Sequence, residues 1–168
     1  MQGLSWARKL GQPTERIALR GLATCTGVFF LAMGMNKLAW ITEPALLADR
    51  FAVWLPTAVP YARWYLELVA IPGASLFARL VPIAEISTGA ALVMGIRVRL
   101  VAFAAMFMVL NFHLATGSFS SWSFLRDGTG LPVLGSLLAL TLAGDTRRAP
   151  VSSRTAATGS GVGTCGPG

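Results

Sequence analysis

The sequence predicts an all-α membrane protein: a bundle of four transmembrane helices with a long outer loop that carries short interfacial helices. Three observations predict it. Hydrophobic residues make up 54% of the 168 residues and charged ones only 12%, whereas a soluble domain carries about 25% charged residues; mean hydropathy is +0.63. The apolar residues fall in long runs suited to a hydrocarbon core of ~30 Å. Basic residues collect in short flanks between those runs rather than along one solvated face. The net charge of +7 therefore reads as a topology signal, and no nucleic-acid partner is expected.

The chain divides into a basic segment over residues 1–15, a membrane domain over 16–144 and a tail over 145–168. The first segment carries Arg8 and Lys9, with Gly11 and Pro13 expected to break any long helix. The first span runs from about Ile17 to Leu38. The apolar stretch from Gly21 to Met35 is followed by Asn36 and Lys37 rather than by a small-residue cleavage site, so the stretch reads as a retained span and not as a signal peptide. Ala23, Gly27 and Gly34 share one face, which lets another helix approach closely. Lys37 belongs to that face, and two readings of it stand: snorkelling to the interface, or a buried ion pair.

Residues Trp40 to Ser75 form the long connection, punctuated by Pro44, Pro56, Pro60 and Pro72 and rich in Trp and Tyr. Such aromatics favour the headgroup level. Pro44 to Leu55 and Tyr61 to Ile71 read as amphipathic helices on the membrane; Asp49, Arg50, Arg63 and Glu67 keep them from being spans.

The second span covers about Phe77 to Ile96. Pro82, Glu85, Gly89 and Leu92 fall on one side at helical spacing, setting a carboxylate beside a glycine gap. A charge at mid-bilayer costs roughly 2.5–3.5 kcal/mol on insertion scales, so Glu85 is expected to face protein or water and to have a partner. The third span, about Leu100 to Thr116, places Ala102, Ala105, Met106, Val109 and His113 in one stripe. His113 reads either as a hydrogen-bonded structural residue or as a ligand. A polar loop from Gly117 to Gly130 leads to a fourth span of about Thr129 to Leu142. Its apolar centre is short, so Phe124 and Leu125 or local thinning would complete the crossing. The Gly/Ser/Thr-rich tail has little apolar area to bury and is expected to be disordered and cytoplasmic.

Four spans put both termini on one side. That side carries Arg8, Lys9, Arg16, Arg20, Arg97, Arg99, Arg147, Arg148 and Arg154; the other carries Lys37, Arg50, Arg63, Arg79 and Arg126, offset by Glu43, Asp49, Glu67 and Asp127. The bias favours both termini in the cytoplasm, with the chain in the inner membrane. Lys37, Glu85, Asn111 and His113 then lie in the outer half. Lys37 is the expected partner of Glu85, with Asn111 or His113 satisfying its remaining lone pairs. Such a cluster can hydrogen-bond a quinone or lipid head group, pass a proton, or lock helices together. With His113 the only histidine, bis-histidine haem ligation within the chain is excluded. Cys25 and Cys165 lack the spacing of an iron–sulfur or other metal site.

At these residues the chain resembles the DoxX/DoxD family of small four-helix membrane proteins. The resemblance rests on Gly27, Phe30, Gly34 and Lys37, then on Pro82, Glu85, Gly89, Gly95 and Arg99, and it continues into the Gly-Leu-Pro-Val-Leu-Gly-Ser-Leu-Leu-Ala-Leu run from Gly130. It implies redox work such as thiosulfate oxidation coupled to quinone reduction, performed with other subunits. The long aromatic connection and the tail depart from the pattern. The expected function is an integral membrane subunit of a redox-linked, quinone-associated complex, with Glu85, Lys37 and His113 as candidate catalytic residues and Asn111 joining them around a head group. Membrane lipid, other subunits or a second copy are the expected partners. The alternative is a structural or assembly subunit of a respiratory or photosynthetic complex; transport has less support, since the spans show no inverted repeat.

Overall fold

The computed structural model describes residues 4–126 and 128–143. The tail from 145, with Cys165, and Asp127 lie outside these residues. All regular structure among the described residues is helical: α1 (Leu4–Met35), α2 (Ala39–Thr42), α3 (Ala45–Trp54), α4 (Pro60–Tyr65), α5 (Ala74–Met94), α6 (Val98–Thr116), α7 (Ser123–Arg126) and α8 (Leu131–Ala143), with short 3-10 turns at Leu55–Thr57 and Ser118–Ser120 and a π-helical turn at Leu66–Ala70. Gly11 and Pro13 do not break α1. Glycine costs the helix backbone entropy and proline removes one amide donor, yet α1 is continuous from Leu4.

Among the described residues three helices are long and apolar enough to cross a membrane: Glu15–Met35 within α1, Ala74–Met94 and Val98–Thr116. The expected fourth span is a shorter apolar helix. Its 13 residues extend ~20 Å at 1.5 Å per residue, against a core of ~30 Å. Packing nonetheless runs in a ring, α1 on α5, α5 on α6, α6 on α8 and α8 on α1. The ring encloses Phe30, Leu92, Val98, Ala102, Leu137 and Leu140, all nearly inaccessible. Outward-facing Ile17, Val28, Leu80, Ile83, Phe103 and Phe107 are exposed, as suits surfaces bathed in hydrocarbon rather than water.

The tightest seam is α1 against α5, which run antiparallel. A Cβ built on Gly27 would sit 2.8 Å from the Gly89 carbonyl oxygen, and one on Gly89 would sit 2.6 Å from the Gly27 oxygen. A Cβ on Gly34 would fall 2.7 Å from the Ile86 side chain and 3.0 Å from the Pro82 oxygen. The helices touch backbone to backbone because no side chain intervenes. α5 ends in a Schellman turn: Gly95 is left-handed at φ 69, Gly95 N–H donates to Leu92 O and Ile96 N–H to Ala91 O.

The long connection folds into the expected short helices, and these pack on the bundle. α3 lies on α5 and α4 on α6, closing a second core of Leu47, Phe51, Tyr65, Leu66, Ala70, Ala78 and Ala115. This cap covers one end of the ring.

A candidate head-group cavity beside the Lys37–Glu85 pair

α5 begins at Ala74 rather than near Phe77, so Glu85 lies about three turns in, at the middle of the helix, instead of about two turns from its start. Lys37 sits in the turn just past α1, held there by its N–H donating to Gly34 O. Its ammonium donates to both carboxylate oxygens of Glu85, at 2.5 and 2.7 Å. Both side chains are about nine-tenths buried. The Nζ also lies 5.8 Å from the Trp40 ring centroid, within reach of a cation–π attraction. Of the two readings of Lys37, the buried pair is the one formed.

The pair opens onto a cavity of about 170 Å³ between the bundle and its cap. Its wall is mainly aromatic and apolar: Phe29, Phe30 and Met33 from α1, Trp40, Phe51 and Trp54 from the connection, Phe77 and Val81 from α5, Met108, Val109 and Phe112 from α6. Five polar residues interrupt it, Lys37, Glu85, Tyr65, Asn111 and Thr129. Tyr65 donates its hydroxyl to Asn111 Oδ1 at 2.5 Å, which leaves the two amide N–H donors of Asn111 without a partner among the described residues. Buried Tyr65 precedes the π turn, where Ile71 N–H reaches back to Leu66 O; such wide turns are frequent at functional sites. An apolar cavity of ~150 Å³ accepts a benzene ring, so the space here suits one substituted six-membered ring.

The sequence places four candidate residues at one level, and the structure brings three of them to the cavity. Glu85 has Lys37 as its hydrogen-bond partner, and neither Asn111 nor His113 bonds to it. His113 is outside the cavity wall. Measured along the helices, it lies ~22.5 Å from the start of α6 while Glu85 lies ~13.5 Å from the end of α5, so it overshoots the carboxylate by ~9 Å. Its Nε2–H donates to the Thr129 carbonyl at 3.0 Å, tying α6 to the approach of α8. Phe112, Phe119 and Phe124 surround the ring at 5.7, 5.8 and 5.1 Å. This placement corrects the reading of His113 as an assistant to Glu85.

Two residues escape the sequence reading. Tyr65 has no signal beyond belonging to an aromatic-rich connection. Arg20 reads as a topology charge, yet its guanidinium donates to Leu92 O at 3.2 Å and to Val93 O. It caps the negative end of α5 from the neighbouring helix.

With that geometry in place, the family model for DoxX matches residues 22–117, more than half of the chain. The chain belongs to the DoxX family. The matched stretch holds Lys37, Tyr65, Glu85 and Asn111 and both faces of the glycine seam, so every residue lining the cavity of this DoxX membrane protein except Thr129 lies within the family domain. The run from Gly130 and α8 lie beyond it. Comparison with curated proteins and with solved structures finds no match.

Proposed function

We propose that this DoxX chain is an integral membrane subunit of a redox-linked complex and that its cavity receives a quinone head group. The observation that carries this reading is the buried Lys37–Glu85 pair on the wall of a ring-sized aromatic cavity. Withdrawing both charges from water costs several kcal/mol per ion, more than a helix contact alone requires. Two of the three ammonium protons of Lys37 go to Glu85 and the third remains to donate. The free amide of Asn111 offers further donors, so a ring with two carbonyls finds a donor at each group. The aromatic wall stacks on the ring and excludes water. A quinone supplies two-electron redox chemistry when bound; the residues of this chain hold and orient it, and Glu85 can accept a proton at a carboxylate oxygen. The reading includes four crossings of the inner membrane, the fourth by α8 with the loop before it, and both termini in the cytoplasm. It also includes a partner subunit that carries the redox centre.

The test uses the cavity's own tryptophans, Trp40 and Trp54. Titration of a short-chain benzoquinone into the purified protein should quench their fluorescence saturably, and Trp54→Phe should remove a large part of the quenched signal. Linear, unsaturable quenching in both proteins would refute a quinone site. A structural reading draws on a separate observation, the glycine seam and ion pair that fasten α1 to α5. It gains if quenching is unsaturable while Glu85→Gln abolishes co-purification of partner proteins from native membrane.

A further inference from the structure

The end of the bundle away from the cavity carries a different chemistry. Arg20 reaches from α1 to the last carbonyls of α5, which fixes the basic face of α1 beside the α5–α6 turn. Arg16, one helical turn before Arg20, and Arg97 and Arg99, in and just after the turn, are exposed there. Among the described residues none of these three guanidinium groups has a hydrogen bond or ion pair. The sole carboxylate described at this end is Glu15, itself exposed. At the cavity end, by contrast, Lys37, Arg50, Arg63, Arg79 and Arg126 share their end with four carboxylates, Glu43, Asp49, Glu67 and Glu85. Arg97 adds an independent sign: it is the one non-glycine residue with positive φ among the described residues, at φ 41 and ψ 45. Glycine adopts that conformation freely and other residues rarely, yet an arginine occupies it. Next to these arginines in sequence stand exposed Ile17, Met94, Ile96 and Leu100, so apolar side chains flank the cationic ones.

We propose that Arg16, Arg97 and Arg99 around the α5–α6 turn bind the phosphate of an anionic phospholipid, whose acyl chains lie on Ile17, Ile96 and Leu100. Guanidinium groups take phosphate oxygens in bidentate fashion, and the adjoining apolar side chains select a lipid over a free anion. The site is remote from the cavity and independent of the quinone reading.

The experiment places the full chain in nanodiscs of phosphatidylcholine, with or without a fraction of phosphatidylglycerol, and measures bound lipid by native mass spectrometry and stability by thermal unfolding. Phosphatidylglycerol should be retained in preference to phosphatidylcholine and should raise Tm, with the increment shrinking as salt rises. Arg97→Gly with Arg99→Gln should keep the fold, since glycine suits the backbone at 97. At ~1 kcal/mol for each arginine near an anionic surface, the double variant should hold phosphatidylglycerol about 30-fold more weakly. Equal retention of the two lipids, an undiminished preference in the double variant, or full reproduction of the Tm rise by inorganic phosphate would each overturn the proposal.

Discussion

Replacing Gly89 with alanine adds one methyl group at the point where α1 and α5 touch. The new carbon would stand 2.6 Å from the Gly27 oxygen and 2.7 Å from the Leu31 amide nitrogen. Both obstacles are backbone, so no rotamer change relieves them. Restoring the 3.4 Å of ordinary contact requires the helices to part by about 0.8 Å. Overpacking of this kind costs ~1–3 kcal/mol, offset by the ~0.5–1 kcal/mol that alanine gains over glycine in a helix interior. The net loss is ~0–2.5 kcal/mol, centred near 1, or a Tm lower by up to roughly 10 °C for a chain of this size. Gly21 supplies the control: it lies on α1 with nothing within 4 Å of its virtual Cβ. Gly21→Ala should be neutral or raise Tm by a few degrees through helix preference alone. Thermal unfolding of both variants in one detergent gives the comparison. A Gly89→Ala protein as stable as Gly21→Ala would refute the backbone contact, and with it the antiparallel seam that brings Lys37 to Glu85.

Three further outcomes are expected. Glu85→Gln or Lys37→Met alone should destabilise by about 3–5 kcal/mol, because each strands a buried charge, whereas the double variant should lose much less; additive losses in denaturant unfolding would mean that the two charges are not coupled. Tyr65→Phe should leave the fold within ~1 kcal/mol while freeing the Asn111 amide to rotate, and should weaken saturable benzoquinone quenching about fivefold; unchanged quenching would remove Tyr65 and Asn111 from the site. His113→Phe preserves the ring contacts and deletes the bond to Thr129, for a cost of ~1–3 kcal/mol; quenching should be unaffected, and its loss would return His113 to the cavity.

Helical spacing made the inward faces legible. Pro82, Glu85, Gly89 and Leu92 are all buried on one side of α5, as are Ala102, Ala105, Val109 and His113 on α6. The glycines of α1 meet α5 as their spacing suggests, and the lysine three residues past Gly34 finds the buried carboxylate of α5. What spacing cannot convey is depth and the identity of the neighbour. His113 points inward as expected, but a helix start shifted by two or three residues moves a group by several ångströms along the axis, and the imidazole meets the carbonyl of Thr129 instead. Tyr65 was illegible for a different reason. Its role depends on a cap folding back over α5 and α6, and a run of Trp, Tyr and Pro fits a headgroup-level loop equally well. Arg20 looks like any flanking arginine until α5 ends beside it. At 13 residues α8 falls short of a full crossing, as its short apolar run in the sequence suggests.

The five-residue turn after Tyr65 gives the cap a sensitivity to chain length as well as to residue type. It holds one more residue than an ordinary coil of the helix would. Deleting one of residues 66–69 would let the segment relax to regular winding with its flanks still in register, whereas deleting two leaves it a residue short and swivels everything ahead by about 100°. The phenol would leave its amide, with every amino acid that lines the chamber still in place.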